Sequence, residues 1–195
     1  MRLANDFLQP SDDEAHNLSE LCDRLQTDAP PGTCSESGPF TARDLELLDP
    51  HEFEAAVGAL YRADGYSVVL TAKGSDGGAD VLAFRPSEAV LVQVKHSANR
   101  VPMDQGALND VLAARDIYGS RVKASWRASV VSNSPVTPET MREATRMGIE
   151  VMPGDRLLKK LLERKVGVGA TASCAATRCA SFEEGVRQAR AYASM

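Results

Sequence analysis

The 195-residue sequence predicts an α/β domain built on a central mixed β-sheet flanked by helices. Three observations point there. Short apolar runs such as VVL and AVLV mark strands buried on both faces, while other segments repeat their apolar residues at helical spacing. The first three strand candidates follow one another with only turn signals between them, so they form an antiparallel meander. Later strands alternate with helical segments of about ten residues or more, as crossover connections require.

The elements follow in order. Asp49 before Pro50 is a helix start, and Phe53, Ala56, Val57, Leu60 and Tyr61 then share one face until Gly65. YSVVLT, from Tyr66 to Thr71, reads as a strand, the glycine-rich segment from Gly74 turns the chain, and ADVLAF, from Ala79 to Phe84, reads as a second strand. Arg85 to Glu88 forms another turn, and AVLVQVK from Ala89 to Lys95 is the third strand. Pro102 opens a helix through about Tyr118, with Met103, Ala107, Val111, Leu112 and Ala114 inward and Gly119 at its end. Trp126 to Ser132 is a strand, Thr137, Pro138 and Glu139 begin a capped helix ending near Gly148, IEVMP is a short strand, and DRLLKKLLERK is an amphipathic helix. The order is helix, three-strand meander, helix, strand, helix, strand, helix. It implies a sheet with an antiparallel first half and crossover helices on both faces.

The ends differ from this core. Residues 1–40 form an acidic, loosely structured arm with one short helix expected between Leu18 and Gln26, residues 41–166 the main domain, and residues 167–195 a Gly/Ala-rich segment with a C-terminal helix. Both ends read as appendages. Net charge is -5, but residues 1–40 hold 2 basic and 8 acidic side chains, whereas residues 41–166 hold 17 of each. The core is therefore neutral, and a basic face for nucleic acid is not excluded. No apolar run of membrane-spanning length and no secretory leader is visible, which makes a cytoplasmic protein without membrane contact the expectation. Cys22, Cys34, Cys174 and Cys179 match no common zinc or redox spacing and are expected to be reduced thiols.

The stretch GSDGGADVLAFRPSEAVLVQVKH, from Gly74 to His96, carries the chemistry. Asp80 stands at the start of the second strand, and Gln93 and Lys95 share one side of the third because side chains alternate. A lysine on an apolar strand is costly unless paired or working, and an ion pair with Asp80 would satisfy it without catalysis. Glu54, at the border of the first helix's apolar face, adds a second acid. Two carboxylates with carbonyl oxygens suit Mg2+ or Mn2+, and Lys95 would orient or deprotonate a water or neutralise a phosphate, which describes phosphodiester hydrolysis. Gly74, Gly77 and Gly78 would admit a phosphate chain to backbone amides, or simply form a flexible hairpin tip. His96 points to the opposite strand face, for packing or a phosphate contact, and Asp76 is read as a turn residue. His16 and His51 are expected at the surface and Trp126 in the core.

FEAAVGALYRADGYSVVLTAKGSDGGADVLAF, then VLVQVKH, then SVVSNSPVTPETMREATRMGIEVMPGDRLLKKLL together resemble the Mrr-type restriction endonuclease domain of the PD-(D/E)xK nuclease superfamily, over roughly residues 48–163. The resemblance implies a restriction-endonuclease-like core with Asp80, Gln93, Lys95 and Glu54 catalytic. It implies Asp80, Glu54, Gln93 and the Val94 carbonyl as metal ligands; Lys73, Gly74, Ser75, Gly77, Gly78 and His96, in and around the glycine-rich turn, are the expected contacts to double-stranded DNA. Gln93 stands where the wider superfamily has glutamate, so its cation should be held less tightly than by three carboxylates. The implied activity is a Mg2+-dependent endodeoxyribonuclease in restriction or defence, with a non-cleaving DNA-binding module or a nuclease effector or toxin as alternatives. No DNA-reading domain is recognisable, so a homodimer and a separate targeting partner are both compatible with the sequence.

Overall fold

The computed structural model describes residues 40–74 and 77–195. The expected helix at Leu18–Gln26, together with His16, Cys22, Cys34, Ser75 and Asp76, lies outside the described residues. Helix α1 (Ala42–Leu47), which the sequence pattern did not announce, is closed by a capping box between Thr41 and Asp44. Helix α2 (Pro50–Ala63) starts as expected. The Asp49 side chain accepts from the Glu52 amide, the Glu52 carboxylate accepts from the Asp49 amide, and Pro50 occupies the first turn.

The remaining elements are β1 (Ser67–Leu70), β2 (Val81–Arg85), β3 (Glu88–Lys95), α3 (Gly106–Arg121), β4 (Trp126–Ser132), α4 (Pro138–Met147), β5 (Ile149–Met152), α5 (Gly154–Glu163), α6 (Val168–Ala175) and α7 (Phe182–Ala193). The sheet runs β1-β2-β3-β4-β5, antiparallel through β3 and parallel from β3 to β5. This is the mixed sheet the sequence implied.

The helix arrangement differs from expectation in one respect. Val81, Val90, Val92 and Val94 face a core shared with α2, α5 and α6, whereas Leu82, Ala89 and Leu91 face a core shared with α3, α4 and α7. Both crossover helices, α3 and α4, thus lie on one face rather than on opposite faces. The cause is chirality. Crossovers between adjacent parallel strands are almost always right-handed, so successive steps in one direction put their helices on the same side.

Two other readings are corrected. The helix expected to open at Pro102 and stop at Gly119 begins at Gly106 and runs to Arg121. Met103 instead forms a bridge with Val136, the Asp104 carboxylate accepts from the Gly106 amide, and Gly119 lies within the helix's last turn on an exposed face. The C-terminal segment, moreover, is no loose appendage. Val166, Val168 and Cys174 enter one core, and Cys179, Val186 and Ala189 the other. A Cβ at Gly58 would lie 2.8 Å from the Cys174 sulfur, so α2 and α6 approach as closely as a bare backbone allows. The Cys179 amide donates to the Leu70 carbonyl at 3.0 Å and occupies part of the free edge of β1.

Candidate active site

The hairpin register places the central acid. Val81 pairs with Val92, and the Asp80 amide donates to the Val92 carbonyl at 2.9 Å, which puts Asp80 one step beyond the strand end and level with Gln93. Its Oδ2 accepts from Gln93 Nε2 and from the Val94 amide, both at 2.6 Å. Asp80 is 5% exposed and Gln93 7%, so these charge-assisted bonds fix the carboxylate in a desolvated position. The Asp80 carbonyl in turn accepts from the amide and the hydroxyl of Thr71, each at 3.1 Å.

Lys95 follows Gln93 on the same face of β3 and meets the crossover helix. Its Nζ lies 2.8 Å from Oδ2 of Asp110 on α3, with the two side chains 39% and 49% exposed. Asp110 was not singled out by its sequence context, because an acid on a polar helix face is indistinguishable from a solvated one until the helix docks. Gly78 sets that docking: at φ +87°, its Cβ would stand 2.8 Å from the Asp110 carbonyl oxygen. Gly77, also at positive φ, sits against Phe182 and Ile117, and Gly74 faces open space. Packing against α3 and α7 thus accounts for two of the three glycines. Beyond Lys95, Asn133 holds the chain by accepting from the Ser97 amide at 2.9 Å and donating to its carbonyl at 3.1 Å.

Glu54 belongs to a second cluster. It lies on α2, against the other face of the sheet, 13% exposed. Its Oε2 is 2.7 Å from Nη1 of Arg178 and 3.4 Å from Nδ1 of His51. Arg178, from the turn between α6 and α7, also donates to the carbonyls of Thr71 and His51. The two clusters are joined by Thr71, which touches Arg178 through its carbonyl and Asp80 through its amide and hydroxyl. Arg178 was missed in the sequence because it sits in a small-residue segment read as an appendage. His96 reaches the α2 face as alternation predicts, its ring 5.3 Å from that of Phe53, and Lys73 is exposed at the loop before Gly74.

Among the described residues, no three His, Cys, Asp or Glu side chains gather closely enough to hold an ion by themselves. A cation here therefore needs amide or backbone oxygens, and these are at hand. Gln93 Nε2 contacts both Asp80 Oδ2 and, at 3.3 Å, the Val94 carbonyl. A half-turn of that amide would present its oxygen beside a carboxylate and a carbonyl, a hard donor set suited to Mg2+ or Mn2+. Among the described residues, no helix is long and apolar enough to cross a membrane.

A comparison with curated proteins finds no match. Similar solved structures include a protein of unknown function, AF1548, at 17% identity and TM-score 0.46, covering 54% of this chain and 58% of that one. The restriction endonuclease MspJI in complex with a 27-mer oligonucleotide has 16% identity and TM-score 0.45, covering 86% of this chain and 36% of that one. The DNA modification-dependent restriction endonuclease AspBHI has 16% identity and TM-score 0.46, covering 89% and 41%. The chain thus corresponds to less than two thirds of the length of each of these structures. The Mrr catalytic-domain family model, described as restriction endonuclease, matches residues 45–161, a span that holds the whole sheet, both crossover helices, Glu54, Asp80, Gln93 and Lys95. By that match, the chain belongs to the Mrr-type restriction endonuclease family.

Proposed function

We propose that this protein is a divalent-cation-dependent endodeoxyribonuclease that hydrolyses phosphodiester bonds in double-stranded DNA, acting in restriction or defence against foreign DNA. The observation that carries this reading is the rigid placement of Asp80 by Gln93 and the Val94 amide, with Lys95 two residues further on the same strand face. Asp80, the Gln93 amide and the Val94 carbonyl would hold Mg2+ or Mn2+, with Glu54 at the rim. The ion, when bound, supplies a Lewis acid that polarises the scissile phosphoryl oxygen. Lys95 serves as the group that orients the attacking water or offsets charge developing on the phosphate. Because its ammonium is paired with exposed Asp110, turning it to the phosphate costs only about 0–1 kcal/mol. Lys73, Gly74, Ser75, Gly77, Gly78 and His96 are proposed as DNA contacts. In that role Gly74, whose added Cβ would meet no atom within 4 Å, is the glycine with backbone open to a phosphate.

The test incubates supercoiled plasmid and linear duplex with purified protein in Mg2+, in Mn2+ or in chelator, beside Lys95→Ala and Asp80→Ala. Cutting that disappears in chelator and in both variants is expected. Variants that bind the duplex as wild type does, with no protein cutting under any condition, would instead favour a binding module that keeps the nuclease fold. Equal cutting by all three proteins would sink the site assignment.

A further inference from the structure

The C-terminal segment reaches the cluster around Glu54 through one side chain, Arg178. Arg178 lies beyond the family-matched residues 45–161, yet its side chain is only 11% exposed and its guanidinium reaches three acceptors. It pairs with Glu54 Oε2 at 2.7 Å and donates to the Thr71 carbonyl at 3.1 Å and to the His51 carbonyl at 2.9 Å. Thr71 then grips Asp80. A planar fork of five donors can bind a carboxylate and two carbonyls in fixed directions at once, which an ammonium on a flexible stem cannot.

Resting on the nuclease reading above, we propose that Arg178 is a positioning residue of the cleavage site. It fixes the Glu54 carboxylate at the rim, steadies Asp80 through Thr71, and by its charge limits how tightly the cation is held. A charged side chain this little exposed to solvent is weakly screened, so a divalent ion held at Asp80 would feel its repulsion and compete with it for Glu54. A purely structural brace would also lower stability when removed. It would leave the cation affinity of the folded protein where it was.

The experiment titrates Mn2+ into full-length protein and follows binding by electron paramagnetic resonance, with thermal melts and single-turnover cleavage alongside. The proteins compared are wild type, Asp80→Ala, Arg178→Gln and Arg178→Lys. Arg178→Gln is expected to bind Mn2+ roughly three- to tenfold more tightly, as loss of a weakly screened like charge requires. It should nevertheless cleave about tenfold more slowly, because the carboxylates lose their fixed geometry. Arg178→Lys restores the charge, so its Mn2+ affinity should stay within about twofold of wild type while cleavage remains about threefold slow. Wild type that leaves the free Mn2+ signal undiminished, or Asp80→Ala binding as wild type does, would overturn the nuclease reading and this inference together. Wild-type binding that is lost in Asp80→Ala, with folded Arg178→Gln binding Mn2+ as wild type does or more weakly, would overturn this inference alone. Should Arg178→Gln not fold, Arg178→Lys decides: cleavage equal to wild type refutes the positioning role, and a slowed rate with a native melt supports it.

Discussion

Lys95 Nζ rests 2.8 Å from the Asp110 carboxylate, so the lysine of the β3 strand is held by the crossover helix that follows it. The pair is exposed enough for its net stability to be near zero, about 0–1 kcal/mol, and its value lies in where it parks the ammonium. Asp110→Asn should therefore shift the melting temperature by no more than a few degrees. It should lower the cleavage rate roughly three- to tenfold by leaving Lys95 to wander. Parallel melts and rate measurements check both; an unchanged rate would show that Lys95 needs no holder.

Gly78→Ala carries two penalties. A non-glycine residue at φ +87° costs about 1–2 kcal/mol, and the new methyl would stand 2.8 Å from the Asp110 carbonyl, part of a helix backbone that cannot yield cheaply. A loss of about 2–4 kcal/mol in urea unfolding is expected, together with slower cleavage because α3 and Asp110 shift. Gly74→Ala, with positive φ but no nearby atoms, should lose only the backbone part.

At Gly58 the two effects of an added methyl oppose each other. Alanine favours the interior of α2 by about 1 kcal/mol, but its Cβ would lie 2.8 Å from the Cys174 sulfur and 3.0 Å from Leu70, both fully buried. Overpacking of this kind costs typically about 1–3 kcal/mol, so the contact should win. Gly58→Ala is expected to lower the unfolding free energy; a gain would mean that α6 can move aside.

Burial pushes the Cys174 and Cys179 thiols up from 9.0 to about 11, with Glu184 adding to the effect at Cys179. Only the thiolate reacts, and at pH 8 a thiol of that kind is ionised to roughly one part in a thousand. With Cys22 and Cys34 replaced by serine, native protein should react with a disulfide reagent at least tenfold more slowly than urea-unfolded protein, in which both thiols return toward their ordinary value. Equal rates would show that α6 opens readily.

Asn133, 5% exposed, binds both backbone groups of Ser97 and fixes the chain two residues after Lys95. Asn133→Ala would leave that amide and carbonyl without their partner, at about 1–3 kcal/mol. Chemical denaturation measures the loss, and cleavage should slow along with it.

Much of the fold was legible because the decisive signals are local. The Asp49–Pro50 start, the short apolar strand runs and the Thr137 cap reappear at α2, the meander and α4. Strand alternation also carried Gln93 and Lys95 to one face and His96 to the other. What escaped was everything fixed by docking. Asp110 and Asn133 gain their meaning from helix and loop placement, and Arg178 from a contact across most of the domain. The sidedness of the crossovers was derivable from handedness once strand order was known, but strand order is itself a tertiary fact.

Arg178 bonds to His51 across 127 residues of chain and to Thr71 across 107. Contacts that close such long loops come late in folding, since the entropy of bringing distant segments together must be met before any reward. The meander and α2 can therefore settle first, while the last clasp on Glu54 waits for the C-terminal residues to be synthesised and to dock. A nascent polypeptide that has not yet exposed residue 178 would thus hold Glu54 without its guanidinium partner, so the two clusters are joined only once that residue is made and docked.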